Sequence, residues 1–284
     1  MYTPLPIPSR TCRTPLAAIL VSVAILTGLS APDSQAQITV RGRLAHDLDA
    51  TPGQMVSGEV LVDNETDQPQ QARVYLRDYL FFADGTNAYD PPGTMERSNA
   101  PWVQFSPENL TIPPGASATV SYSITIPAEI DPGTWWSMLM VESVDPNSAE
   151  STVGEETAQE RELGFRQVTR YGVQLASHVR EGGQREVAFD RIQLVADEEG
   201  HTWFRSDVIN TGTLMMHPEV YMRIFAADGS EFGPFEGVQY RLYPGTSVQQ
   251  RIDLSNLEPG TYQALLIVDD GDDAVFGGQY ELTL

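Results

Sequence analysis

Lysine does not occur among the 284 residues, so all 17 basic side chains are arginine, set against 39 aspartates and glutamates. The formal net charge of −22 repels polyphosphate and anionic lipid, which makes nucleic acid and an acidic membrane surface poor partners for the chain. Exclusion of lysine beside excess acid resembles the proteomes of salt-loving prokaryotes, where concentrated salt screens self-repulsion over short distances. A salt-adapted, halophilic source is the expectation. Cysteine is nearly as scarce. The single thiol, Cys12, precedes an apolar run instead of following it, so it is out of place for the lipid-attachment cysteine of a lipoprotein. Beyond Cys12 the chain has no disulfide and no thiolate ligand for a metal, and its stability has to come from packed cores.

The short motifs of catalysis are missing too. No Gly-x-Ser-x-Gly elbow, His-Glu-x-x-His pair, phosphate loop or dinucleotide fingerprint occurs. The four histidines, His46, His178, His201 and His217, are scattered without metal-ligand spacing and read as surface or turn residues. Met215, Met216 and His217 are soft ligands that would suit copper, but their place after Asn210 favours covering one end of a sandwich. The acids from Asp269 to Asp273 lack the spacing and closing glutamate of an EF-hand loop and read as a solvated hairpin tip. Asn64 and Asn109 each open an Asn-x-Thr triplet that reads as a turn. No enzyme activity, metal or cofactor is expected from these residues.

What is present begins with an export signal. Arg10 and Arg13 precede the apolar run Leu16 to Leu29, and the small-x-small triplet Ser34, Gln35, Ala36 follows. This is the order of a signal peptide over residues 1–36, cleaved after Ala36. The run is short for a bilayer span. The mature chain is therefore expected in the periplasm or outside the cell, with no membrane span.

From Gln37 onward, alternating or β-branched runs are broken at intervals of about ten residues by Pro, Gly, Asn or Asp, the rhythm of a β-sandwich. The pattern occurs twice. Val62, Asp63, Asn64 lead through Val74 and Tyr75 to Asp84 and Gly85; Val208, Ile209, Asn210 lead through Val220 and Tyr221 to Asp228 and Gly229, with the same Asn-to-Tyr spacing. Pro114 and Gly115 open a strand that ends before Asp131, Pro132, Gly133, Thr134, Trp135. Pro244 and Gly245 open one that ends before Glu258, Pro259, Gly260, Thr261, Tyr262. The Asn positions mark turns whose side chains bond their own backbone, and the Asp-Gly pairs supply positive φ for hairpins. The fold class is all-β, two tandem immunoglobulin-like β-sandwich domains at 37–179 and 180–284. Their one clear difference is an acidic connection at 145–164 in the first, where the second has a tight turn; such long connections are often functional.

On these patterns the chain resembles two families. The strand Gln54 to Val62, its Asn-x-Thr turn, the region Val103 to Ile126 and the closing strand Gly172 to Leu175 look like the first domain of WxL-interacting surface proteins. The Leu257 to Tyr262 turn is similar to their second domain. The first domain also resembles that of periplasmic fimbrial chaperones, in its Pro-Pro-Gly strand and its long loop before the last strand. That resemblance implies a non-enzymatic, protein-binding partner of an envelope or surface protein subunit, which it holds by strand addition along Phe165 to Val179. Phe165, Tyr171, Val173 and Leu175 would then face the partner, with Arg43 and Arg170 as the basic residues nearest to the family's carboxylate clamp. An alternative is a cell-wall adaptor that binds peptidoglycan or another glycan through Trp135 or Trp136, one of which must point outward because they are adjacent on a strand.

Overall fold

The computed structural model describes residues 38–144, 168–271 and 274–284. The expected signal peptide, the acidic connection 145–164, Phe165, Asp272 and Asp273 lie outside these residues. Among the described residues no helix is long and apolar enough to cross a membrane.

Ten of the described strands form the first sandwich: β1 (Thr39–Arg41), β2 (Ala45–Asp49), β3 (Met55–Asp63), β4 (Gln70–Phe81), β5 (Asn87–Asp90), β6 (Val103–Ser106), β7 (Asn109–Ile112), β8 (Ser117–Thr125), β9 (Gly133–Val144) and β10 (Arg170–Val179). One sheet runs β1-β3-β8-β6. The other runs β2-β10-β9-β4-β5, with β7 also paired to β4. Seven strands follow in the second sandwich: β11 (Val187–Ala196), β12 (Thr202–Asn210), β13 (Glu219–Ala226), β14 (Glu231–Glu236), β15 (Ser247–Asp253), β16 (Thr261–Asp269) and β17 (Val275–Thr283). They make sheets of order β11-β12-β15 and β14-β13-β16-β17.

Alternation explains both cores. Val120, Tyr122 and Ile124 of β8 point inward together with Val60 and Val62 of β3, and meet Leu139, Val141, Val173 and Leu175 from the opposite sheet. Phe204 and Val208 of β12 meet Met222, Ile224, Leu266 and Val268 in the same way. Each such side chain removed from water contributes about 1.5–3 kcal/mol. The repeated turns also coincide in space. Asn64 and Asn210 are both buried, and each amide donates to carbonyls of the chain leading into a Pro-Gly turn: Asn64 to Ile112 and Pro113, Asn210 to Leu242.

The first strand changes sheets. β1 pairs antiparallel with β3, whereas β2 pairs parallel with β10. Gly42, at φ +98°, takes a left-handed conformation at the crossing that a side chain would disfavour. Because β2 begins at Ala45, it covers only the second half of β10.

The two sandwiches meet in a polar and aromatic joint. Trp136 stacks on Tyr243 at 4.7 Å, and both are fully buried. Thr134 donates its backbone N–H to the Thr213 carbonyl (2.7 Å), and its Oγ1 accepts the Met215 N–H (2.8 Å). Tyr243 donates its hydroxyl to Gln174 Oε1 (2.8 Å). His178 is no surface residue: it is 1% exposed inside this joint, because an even-numbered position on β10 faces the second sandwich. Met216 is buried in the second core, and Met215 packs, partly buried, beside Trp136.

Candidate partner-binding edge

β10 is paired along its whole length to β9, from Arg170↔Glu142 to Val179↔Gly133. On its other side, pairing to β2 runs only over Gln174–His178. The Gln174 N–H donates to the Leu44 carbonyl and the His178 carbonyl accepts from Ala50, so even-numbered residues direct their backbone groups outward. By the same alternation, Arg170 and Gly172 aim N–H and C=O away from β9, where no described strand covers them.

The side chains named from the sequence divide differently. Val173 and Leu175 are fully buried, and Tyr171 packs against the same core. Their alternation is that of a strand facing its own core, and that inward face leaves Val173 and Leu175 no freedom to enter a partner. The part of the edge open to pairing is accordingly Arg170 to Val173. Arg170 is committed to Glu142 (2.8 Å). Arg43 is exposed at the strand crossing.

Glu142 lies between β4 and β10. Burial alone would raise its carboxyl, but hydrogen bonds from the Tyr75 hydroxyl (2.6 Å) and Arg170 outweigh this and hold it below the usual range. The Tyr75 hydroxyl is correspondingly raised, by burial first and then by its bond to Glu142.

Trp136 presents no open ring platform. Trp136 is sealed in the joint, its indole N–H donating to the Tyr79 carbonyl (2.8 Å). Trp135 is half-buried between Trp102 (5.1 Å) and the Arg97 guanidinium (5.2 Å).

Thr134, His178 and Asp47 have the order of a nucleophile–base–acid relay, with Thr134 Oγ1 2.9 Å from His178 Nδ1 and His178 Nε2 3.1 Å from Asp47 Oδ1. Thr134 is fully buried and engaged by Met215, so the relay braces the joint and meets no substrate. Asp197, Glu199 and His201 carry possible ligand atoms within 4.8 Å of one another. The Asp197 carboxyl already accepts the Trp203 indole N–H and the backbone N–H of His201 and Glu199, and the Trp203 and His201 bonds lower it to about 2. It closes a turn. Asp270, read from sequence as part of a solvated tip, accepts the His217 N–H (2.7 Å) and pairs with Arg185 (3.1 Å), which ties the tip to the sandwich.

No family model matches this chain, and no curated protein does. Among solved structures it is similar to a chain of the chaperone–tip adhesin complex of CFA/I fimbriae biogenesis, at 11% identity and a TM-score of 0.47, over 86% of this chain and 98% of that one. It is similar to the class 5 fimbriae chaperone CfaA at 12% identity and a TM-score of 0.44, over 87% and 100% of the two chains. A chain of the CsuC–CsuE chaperone–tip adhesion subunit pre-assembly complex of Acinetobacter baumannii aligns at 10% identity and a TM-score of 0.43, over 87% and 98%. These are likenesses of overall fold.

Proposed function

We propose that this chain is an exported, non-enzymatic binding protein that holds an envelope or surface protein subunit by adding a strand of that partner to the outer edge of β10. The observation that carries the reading is the asymmetry of β10: full pairing to β9, but pairing to β2 only from Gln174 onward. A stretch that no described strand covers, with outward N–H and C=O groups, is a template for one more strand. The partner's affinity would come from main-chain hydrogen bonds at Arg170 and Gly172, while Val173 and Leu175 keep the donor strand seated in its own core. The resemblance to periplasmic fimbrial chaperones implies the same mode and a periplasmic setting.

The test is capture of a polypeptide from the envelope fraction of the source cells, followed by amide hydrogen exchange on the complex. Strand addition expects the Arg170 and Gly172 amides to slow on capture, with little change at Gln174 and Ala176, which β2 already covers. It also expects Arg170→Pro, which deletes an outward donor at the start of the strand, to lose capture while the thermal transition remains. A complex in which both amides keep their free exchange rate would rule the mode out.

A further inference from the structure

The outward face of the same sheet gathers positive charge, the sign in the minority along this chain. On β4, Arg73, Tyr75 and Arg77 alternate with Val74 and Leu76, which pack into the core, so the first three stand together on the outer face. Both guanidinium groups lie over the Tyr75 ring, 5.1 and 5.4 Å from its centre. β9 places Glu142, Met140 and Met138 opposite Arg73, Tyr75 and Arg77. β10 then adds Arg170 and Gly172 opposite Glu142 and Met140. The result is a groove of about 610 Å³ with two methionines as its floor and three arginines on its flanks.

Among the described residues Glu142 is the one carboxylate lining this groove, and Arg170 neutralises it. Arg73 and Arg77 remain as a net positive pair in a chain of charge −22. Screening over about 8 Å at physiological salt lets this local sign prevail at contact over more distant acids. The floor is apolar: Met138 and Met140 are each 5% exposed, and thioethers adapt to varied side chains. The Tyr75 ring is taken up by guanidinium groups, so it serves poorly as a stacking platform for a sugar. A polypeptide with alternating acidic and apolar side chains satisfies both features.

We infer that this groove is a docking surface for an acidic, extended segment of a partner polypeptide, whose carboxylates meet Arg73 and Arg77 and whose apolar side chains rest on Met138 and Met140. The surface borders the strand-addition edge and shares Arg170 and Gly172 with it, but it binds through side chains of β4 and β9 and not through the backbone of β10.

Fluorescence anisotropy with a labelled, alternating Glu–Val peptide titrated with the full chain tests it. The acidic peptide is expected to bind in spite of the chain's overall charge. Binding is expected to weaken with added salt and to fall about tenfold in the double variant Arg73→Gln, Arg77→Gln, the loss of two partly screened ion pairs. Arg223→Gln, on the second sandwich, is expected to leave it unchanged, and circular dichroism melts confirm that the variants fold. The Arg73→Gln, Arg77→Gln double variant also separates the two surfaces, because edge pairing through the β10 backbone should survive it and groove binding should not. The inference is overturned if the wild-type chain does not bind the peptide, if the double variant binds it equally, or if polygalacturonate displaces it with equal affinity.

Discussion

His178 Nε2 lies 3.1 Å from Asp47 Oδ1, and the same carboxylate receives the Arg241 guanidinium from the second sandwich. A strand-crossing residue of one sandwich is thereby joined to both a buried imidazole and the neighbouring module. The set is self-consistent when Nε2 carries the proton and donates to Asp47 while the Thr134 hydroxyl donates to Nδ1.

The His178 bond first, and Arg241 with it, hold the Asp47 carboxyl well below its ordinary value of 3.8, against an opposing effect of burial. A carboxyl depressed by folding stabilises the folded state fully above its unfolded value, and that contribution disappears as pH falls through the folded one. Asp47→Asn is therefore expected to lower the denaturation midpoint at neutral pH, with the gap from wild type narrowing as pH drops below 3.8. The carboxylate is 41% exposed, so solvent moderates the size of the effect. Urea titrations at a series of pH values read it, and a gap that stays constant into acid would contradict the assignment.

Gly172 makes a second prediction. A Cβ built there would sit 2.2 Å from the Met138 sulfur, so the glycine makes room for a methionine crossing from the neighbouring strand. Gly172→Ala is expected to destabilise by about 1–3 kcal/mol in the wild-type background, the usual range for overpacking. In a Met138→Ala background the same change should cost little. A double-mutant cycle from equilibrium unfolding measures the coupling, and equal costs in both backgrounds would mean that the clash is relieved elsewhere.

Much of this was legible in the residues. The two-sandwich class follows from alternation and punctuation, as with Val120, Tyr122 and Ile124, whose period alone places them inside. The partner edge was legible only in part, because alternation at Tyr171, Val173 and Leu175 marks an apolar face without saying whose core it fills. That depends on where β2 lands, a parallel pairing set by the crossing at Gly42 and without a sequence period of its own. The Arg73, Tyr75, Arg77 face was open to the same period-two reading, but its meaning needed Met138 and Met140 from a strand more than 60 residues away. His178 escaped for a related reason. A lone histidine carries no signal of burial until Asp47 and Thr134 are seen to converge on it. The resemblance to WxL-interacting proteins rests on sequence patterns alone.

The repeated asparagines explain why Asn and Pro-Gly recur together in both halves, and they yield the last prediction. Asn64 donates to Gln68 (2.7 Å) and Ile112 (2.9 Å) and accepts the Thr66 N–H (2.9 Å). Asn210 donates to Leu214 (2.8 Å) and Leu242 (2.8 Å) and accepts the Gly212 N–H (2.9 Å). Their backbone N–H groups make matching bonds to Ala116 and Thr246, the residues that follow the Pro-Gly pairs. An alanine at either site strands buried carbonyls and is expected to cost at least about 1–3 kcal/mol. Aspartate should be worse at neutral pH, because it keeps the acceptor but sets a buried charge against those carbonyls. Acid should recover part of that loss, since a protonated carboxyl can donate again. Denaturant unfolding of Asn64→Ala, Asn64→Asp, Asn210→Ala and Asn210→Asp at two pH values gives the order. Aspartate variants as stable as wild type at neutral pH would show that these side chains do not hold the turns.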